Sequence, residues 1–208
     1  MNYAIPDDGA VPSRDDVAAL CAVFAARGRQ PRLEYLPDAA PEVERVLFAA
    51  GFTAEGRYPV MTCDAVRDCS PPQGIEVRAA TTSLDFLAAS GAQAEAYGNG
   101  APRPEVLGDI VARGGVAALA EDLRYRVTVG VGSCMAPVEG VSELGGIGVI
   151  SAYRKRGIAA ALTARLARAI LDRGATLVWL TPGHDEAGRV YARAGFAKAC
   201  EALHIGRV

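Results

Sequence analysis

Residues 143–160 limit what this chain can fold into more than any other stretch. The stretch over 142–150 reads as a strand and breaks into a short loop with three consecutive cations, Arg154, Lys155 and Arg156. Gly157 and the small Ala159 follow, and then Ile158, Leu162, Leu166, Ile170 and Leu171 fall on one helical face while Arg165, Arg168 and Asp172 fall on the other, until Arg173-Gly174 stops the helix. Strand, sharp loop and helix in this order need a sheet for the helix to cover. The first turn of such a helix carries unpaired N–H groups and partial positive charge. Gly157 lets backbone amides approach a ligand with no Cβ in the way, and the three cations add counter-charge, so the layout suits a pyrophosphate.

At 208 residues the chain predicts one domain plus an appendage. Half of its residues are apolar and 22% are charged, proportions that exclude a disordered chain. No run reaches the roughly 18 to 20 apolar residues that a spanning helix needs, and the start, Met1 to Asp8, lacks a basic region and an apolar core, so the expected location is the cytosol with no membrane partner. Five scattered cysteines (Cys21, Cys63, Cys69, Cys134, Cys200) form no C-x-x-C pair and read as reduced thiols. With two histidines and a net formal charge of -2, neither a metal centre nor a nucleic-acid footprint is expected.

Along the chain, Ser13 caps a helix ending at Gly28, residues 31–36 alternate like a strand, 41–50 form a second helix from a proline start, and 52–63 is extended. Residues 68–74 collect breakers and read as a linker. Beyond it the pattern predicts a strand over 75–79, helices over 83–97 and 104–113, and strands over 115–120, 125–135 and 142–150, with a polar turn at 121–124. A strand over 176–181, a helix over 185–194 and a strand over 197–205 complete the order. Residues 33–52 align without a gap on 177–196, and eight of the twenty positions are identical, ending in Ala50-Gly51-Phe52 and Ala194-Gly195-Phe196. The expected organisation is therefore a truncated, degenerate copy over 1–70 and the complete domain over 71–208. The copy has no basic glycine loop, and Leu47 stands where the second copy has Tyr191.

Arg154-Lys155-Arg156-Gly157-Ile158-Ala159 fits the signature Q/R-x-x-G-x-G/A, and Val190-Tyr191-Ala192-Arg193-Ala194-Gly195-Phe196 fits a second mark, a tyrosine-bearing helix ending in Gly-Phe. With these two motifs in order, residues 75–208 resemble the GCN5-related N-acetyltransferase (GNAT) superfamily. The resemblance implies an α/β fold with a mixed, twisted sheet that splays between its fourth and fifth strands, and an acetyl-CoA arm lying in the gap. Backbone groups of Val149 and Ile150 would bind the pantetheine amides, and amides from Arg154, Lys155, Arg156, Gly157, Ile158, Ala159 and Ala160 would hold the pyrophosphate. Tyr191 takes the place of the tyrosine that protonates or hydrogen-bonds the leaving sulfur. Glu143 is the base candidate, against the plain reading of a strand-end carboxylate in solvent.

His184 stands where relatives carry an asparagine that contacts the cofactor arm, and reads here as an exposed helix cap. Cys134 reads as core, since no histidine lies near it in sequence. The implied activity is direct acetyl transfer to an amine of a small molecule or peptide; the rival is a non-catalytic CoA-binding or sensory module with the same fold. A homodimer stays open.

Overall fold

The computed structural model describes residues 3–98 and 100–207 and divides into two compact units, one of Met1–Val60 with Ala199–Val208 and one of Met61–Lys198. The sequence division at 70/71 leaves the last strand with the second unit, whereas the structure assigns residues from Ala199 onward to the first. The reason is long-range pairing, which local pattern does not carry.

In the first unit, α1 (Arg14–Ala25) opens on a capping box in which the Ser13 side chain accepts from Asp16 N and the Asp16 carboxylate accepts from Ser13 N. β1 (Arg32–Tyr35), α2 (Pro41–Ala49) and β2 (Thr53–Cys63) follow, and the strand order is β1-β8-β2, with β8 at Ala197–Gly206. β1 and β8 are antiparallel, and Leu33 sits opposite Ile205 and Tyr35 opposite Leu203. These four join Val17, Val43, Leu47 and Phe52 in one buried cluster.

The second unit holds β3 (Ile75–Ala79), α3 (Ser83–Tyr97), α4 (Pro104–Ala112), β4 (Val116–Asp122), β5 (Val127–Cys134), β6 (Val141–Val149), α5 (Ile158–Leu171), β7 (Leu177–Leu180) and α6 (Asp185–Arg193). Its strands run in the order β2-β7-β6-β5-β4-β3, with β2 represented by Met61–Cys63. Only the β6–β7 pair is parallel, so the sheet is mixed, as the resemblance implies.

Both faces of this sheet are covered. Ala118 and Ala120 of β4 face the cluster of Leu162, Leu166 and Ile170 from α5, while Ala117 and Leu119 face Ala89 of α3 and Leu107 of α4. Two-sided burial explains the unbroken apolar run of β4. α5 lies so close to β5 that a Cβ on Gly132 would land on Ile147 and within 2.8 Å of Leu166. One turn differs from the expectation at 121–124: β4 continues to Asp122, whose carboxylate accepts from Arg124 N and Tyr125 N and moves the turn towards Arg126.

Three element starts share the 144-residue offset of the aligned stretches. α5 begins 144 residues after α1 (Ile158 against Arg14), α6 144 after α2 (Asp185 against Pro41), and β8 144 after β2 (Ala197 against Thr53). Both copies end their second helix identically. Gly51 and Gly195 take positive φ, 83° and 108°, and the next N–H turns back onto the helix, from Phe52 to Leu47 O and from Phe196 to Tyr191 O.

Candidate functional site

β6 pairs with β7 only over Val141–Glu143, against Leu177–Trp179. From Leu144 onward it keeps β5 on one side and, among the described residues, has no strand partner on the other. Ile150 N donates to Val129 O, so by the alternation of a strand the backbone groups of Val149 point away from β5, towards the open edge. The two expected backbone contacts therefore part company: Val149 faces the gap, while Ile150 has its N–H on Val129 and its carbonyl on Tyr153 N.

The open edge leads through a short 3-10 turn, Ser151–Tyr153, into α5. Gly157 occupies the cap position with φ 91°, a conformation that suits glycine, and no heavy atom lies within 4 Å of where a Cβ would stand. Ala161 N makes the first intrahelical bond, to Gly157 O, and no side chain caps the helix. The amides of Ile158, Ala159 and Ala160 thus belong to an uncapped first turn with no acidic residue in it. An anion would fit here, with the loop backbone and the helix dipole both favouring it.

The three cations do different things. Arg154 donates from Nη2 to Ala96 O at 2.7 Å and from Nε to Val149 O at 3.0 Å. Arg156 bonds Ala152 O at 2.9 Å and stacks over the Tyr153 ring at 4.8 Å, while the Tyr153 hydroxyl donates to Asp122 at 2.8 Å. Among the described residues, Lys155 is the member of this trio without a hydrogen-bond or ion-pair partner, and it sits at φ 61°. Sequence shows three equal charges; the structure leaves one side chain free.

Two residues that sequence reasoning missed lie on α3. Gln93 Nε2 donates to Gly146 O at 3.0 Å, and the Tyr97 hydroxyl donates to Ile147 O at 3.0 Å. Gly146 has φ 65°, and the register against β5 shifts between Val131 and Ser133, so α3 holds an irregular segment of β6 in place. The available signal was the spacing of Gln93 and Tyr97, four residues apart on one helical face.

Tyr191 is half-buried on α6, its ring 6.4 Å from that of Phe196. Burial, and secondarily the neighbouring Tyr97, push its pKa up to about 12, so it carries its proton at neutral pH. Glu143 stands where β6 loses its partner; its side chain reaches solvent, yet the surrounding protein shields the carboxyl enough to raise its pKa. No hydrogen bond joins Glu143 to Tyr191 among the described residues. His184 is exposed, and its Nδ1 caps α6 by accepting from Ala187 N at 3.2 Å. Cys134 is fully buried, and desolvation pushes its thiol up to about 12, leaving no thiolate for nucleophilic attack.

Among the described residues no helix is long and apolar enough to cross a membrane, and no cluster of His, Cys, Asp and Glu could hold a metal ion. Residues 103–196 match the family model described as the acetyltransferase (GNAT) family. No curated protein matches the chain. Among solved structures, a GCN5-related N-acetyltransferase from Kribbella flavida is 26% identical with a TM-score of 0.82, over 98% of this chain and 80% of that one. A GCN5-related N-acetyltransferase from Sphaerobacter thermophilus is 22% identical with a TM-score of 0.66, over 86% of this chain and 60% of that one. A tandem GNAT protein from the clavulanic acid biosynthesis pathway is 15% identical with a TM-score of 0.68, over 93% of this chain and 68% of that one. The last two likenesses speak for the fold alone. The β6–β7 pairing that ends at Glu143, the uncapped α5 and the family model point the same way: over residues 103–196 this chain matches the GCN5-related N-acetyltransferase (GNAT) family, a family of acyl-transferring enzymes.

Proposed function

We propose that the protein is a cytosolic acetyl-CoA-dependent N-acetyltransferase that acetylates the amine of a small molecule or peptide by direct transfer. The observation that carries this reading is the continuity of the unpaired edge of β6 with the uncapped first turn of α5. An extended, amide-bearing arm ending in a pyrophosphate needs those two surfaces in that order. Val149 offers its backbone N–H to the arm, its carbonyl being held by Arg154, with Ile150 behind it as the anchor that fastens the end of β6 to Val129. The Arg154 N–H is taken by Ser151 O, so the amides from Lys155 through Ala160 cradle the pyrophosphate, and the Lys155 side chain supplies the free charge beside them. Acetyl-CoA, when bound, supplies the activated thioester carbon. Tyr191 serves the departing sulfur, and Glu143 takes the proton from the amine directly or through water.

Residues 1–70 are read as a degenerate partial copy, and residues 71–208 as the catalytic domain. Ala10-Val11-Pro12 stand where the complete domain has Arg154-Lys155-Arg156, and the Ser13–Asp16 capping box closes the start of α1 with the protein's own carboxylate. An anion has no place there, which puts one cofactor site in each chain.

The deciding experiment is a thiol-release screen of purified protein and acetyl-CoA against amines and peptides. Release with one acceptor class supports the reading. CoA binding by calorimetry without turnover of any acceptor would make the protein a CoA-binding module.

The Glu143 assignment has its own pH signature. A base must be deprotonated to act, and burial raises this carboxyl, so the rate is expected to climb with pH through a value above the ordinary glutamate range. Glu143→Gln should lower the rate and remove that acid limb. A wild-type profile flat across this range would take Glu143 out of the proton path.

A further inference from the structure

We propose that Arg154 is a positioning residue whose guanidinium pins the last turn of α3 to the end of β6, and that its charge is not spent on phosphate. The inference rests on the CoA reading above and assigns this one motif residue a different task. The last carbonyls of α3 lack intrahelical partners, and no basic residue of the helix itself lies in its last turn. The N–H of the capping Gly98 reaches Ala94 O and Glu95 O, which leaves Ala96 O to Arg154 at 2.7 Å. The same guanidinium reaches Val149 O at 3.0 Å, a carbonyl on the open side of β6.

Three side chains thus bridge α3 and β6 in step. Gln93 meets Gly146, Tyr97 meets Ile147, and Arg154 joins Ala96 to Val149. Together they fix the segment 146–149, the part of β6 whose backbone would meet the pantetheine arm. A planar fork can hold two carbonyls at once. The compact ammonium of a lysine keeps the charge and loses the bridge. Lys155, with no partner, remains to meet the anion.

Titrations with CoA and with pantetheine, which lacks the phosphates, separate the two roles in the full-length protein. Arg154→Lys is expected to weaken CoA and pantetheine by the same factor, about tenfold, the scale of one lost charge-assisted hydrogen bond. Lys155→Gln should weaken CoA and leave pantetheine unchanged, with a shallower salt dependence. Combining Arg154→Lys with Tyr97→Phe should cost less than the product of the two single losses, because both act on one bridge. If Arg154→Lys weakens CoA alone, Arg154 is a phosphate contact and the proposal is wrong; it is equally wrong if neither ligand is affected. Should Arg154→Lys fail to fold, Tyr97→Phe decides: unchanged pantetheine binding overturns the bridge. Wild-type protein that binds neither ligand would instead remove the cofactor reading itself.

Discussion

Replacing Tyr191 with phenylalanine is expected to lower kcat by about 10²- to 10³-fold, the usual loss of one preorganised donor aimed at developing negative charge. KM for acetyl-CoA should stay within about twofold, because the hydroxyl would serve the departing sulfur and not the bound ground state. The phenol lies near a pKa of about 12, raised by burial and by Tyr97. An alkyl thiol such as cysteine titrates near ~8.5, so a phenol at that value stabilises a sulfur anion by donating a hydrogen bond and does not give its proton up outright. The resemblance left these two roles joined; the burial of the ring favours the first. Phenylalanine keeps the ring and its contact with Phe196, so the variant should retain its fold. Steady-state kinetics on an accepted amine, with circular dichroism beside them, make the check. An unchanged kcat would remove Tyr191 from the reaction.

Local signals made much of the second unit legible. The helix over 83–97 is bounded by a Thr82–Asp85 capping box and by Gly98 in the left-handed conformation, and both ends are written in neighbouring residues. The loop into α5 is equally local: a strand, three cations, a glycine and a periodic helix follow one another. What each cation does is not local. Arg154 finds Ala96, 58 residues earlier, and no pattern near position 154 announces that carbonyl. Tyr97 was missed for the same reason, since the last residue of an ordinary helix gains its meaning from Ile147, 50 residues away. For β8 the sequence shows a strand over 197–205. It does not show what covers that strand, and the covering residues lie near the other end of the chain.

That placement of β8 carries the second large prediction, that a chain ending at Lys198 loses the folded structure of the first unit. Leu203 and Ile205 are fully buried there, between Leu33, Tyr35, Val43 and Leu47. Each buried side chain of this kind contributes about 1.5 to 3 kcal/mol, and removing the strand also bares the β1 residues opposite them. A whole domain has only about 5 to 15 kcal/mol to lose. Nothing near β1 can replace the strand, because its remaining described neighbour is a single bridge between Ala4 and Leu33. Limited proteolysis of the truncated chain should therefore cut first within residues 14–60. The milder Leu203→Ala should cost about 2 to 5 kcal/mol in denaturant unfolding, the range for a large-to-small change in a packed core. If residues 14–60 stay protease-resistant without β8, the first unit has a core that stands without Leu203 and Ile205. The repeat would then be a self-sufficient copy, and the division at 70/71 read from sequence would describe the folding units better than the one set by strand pairing.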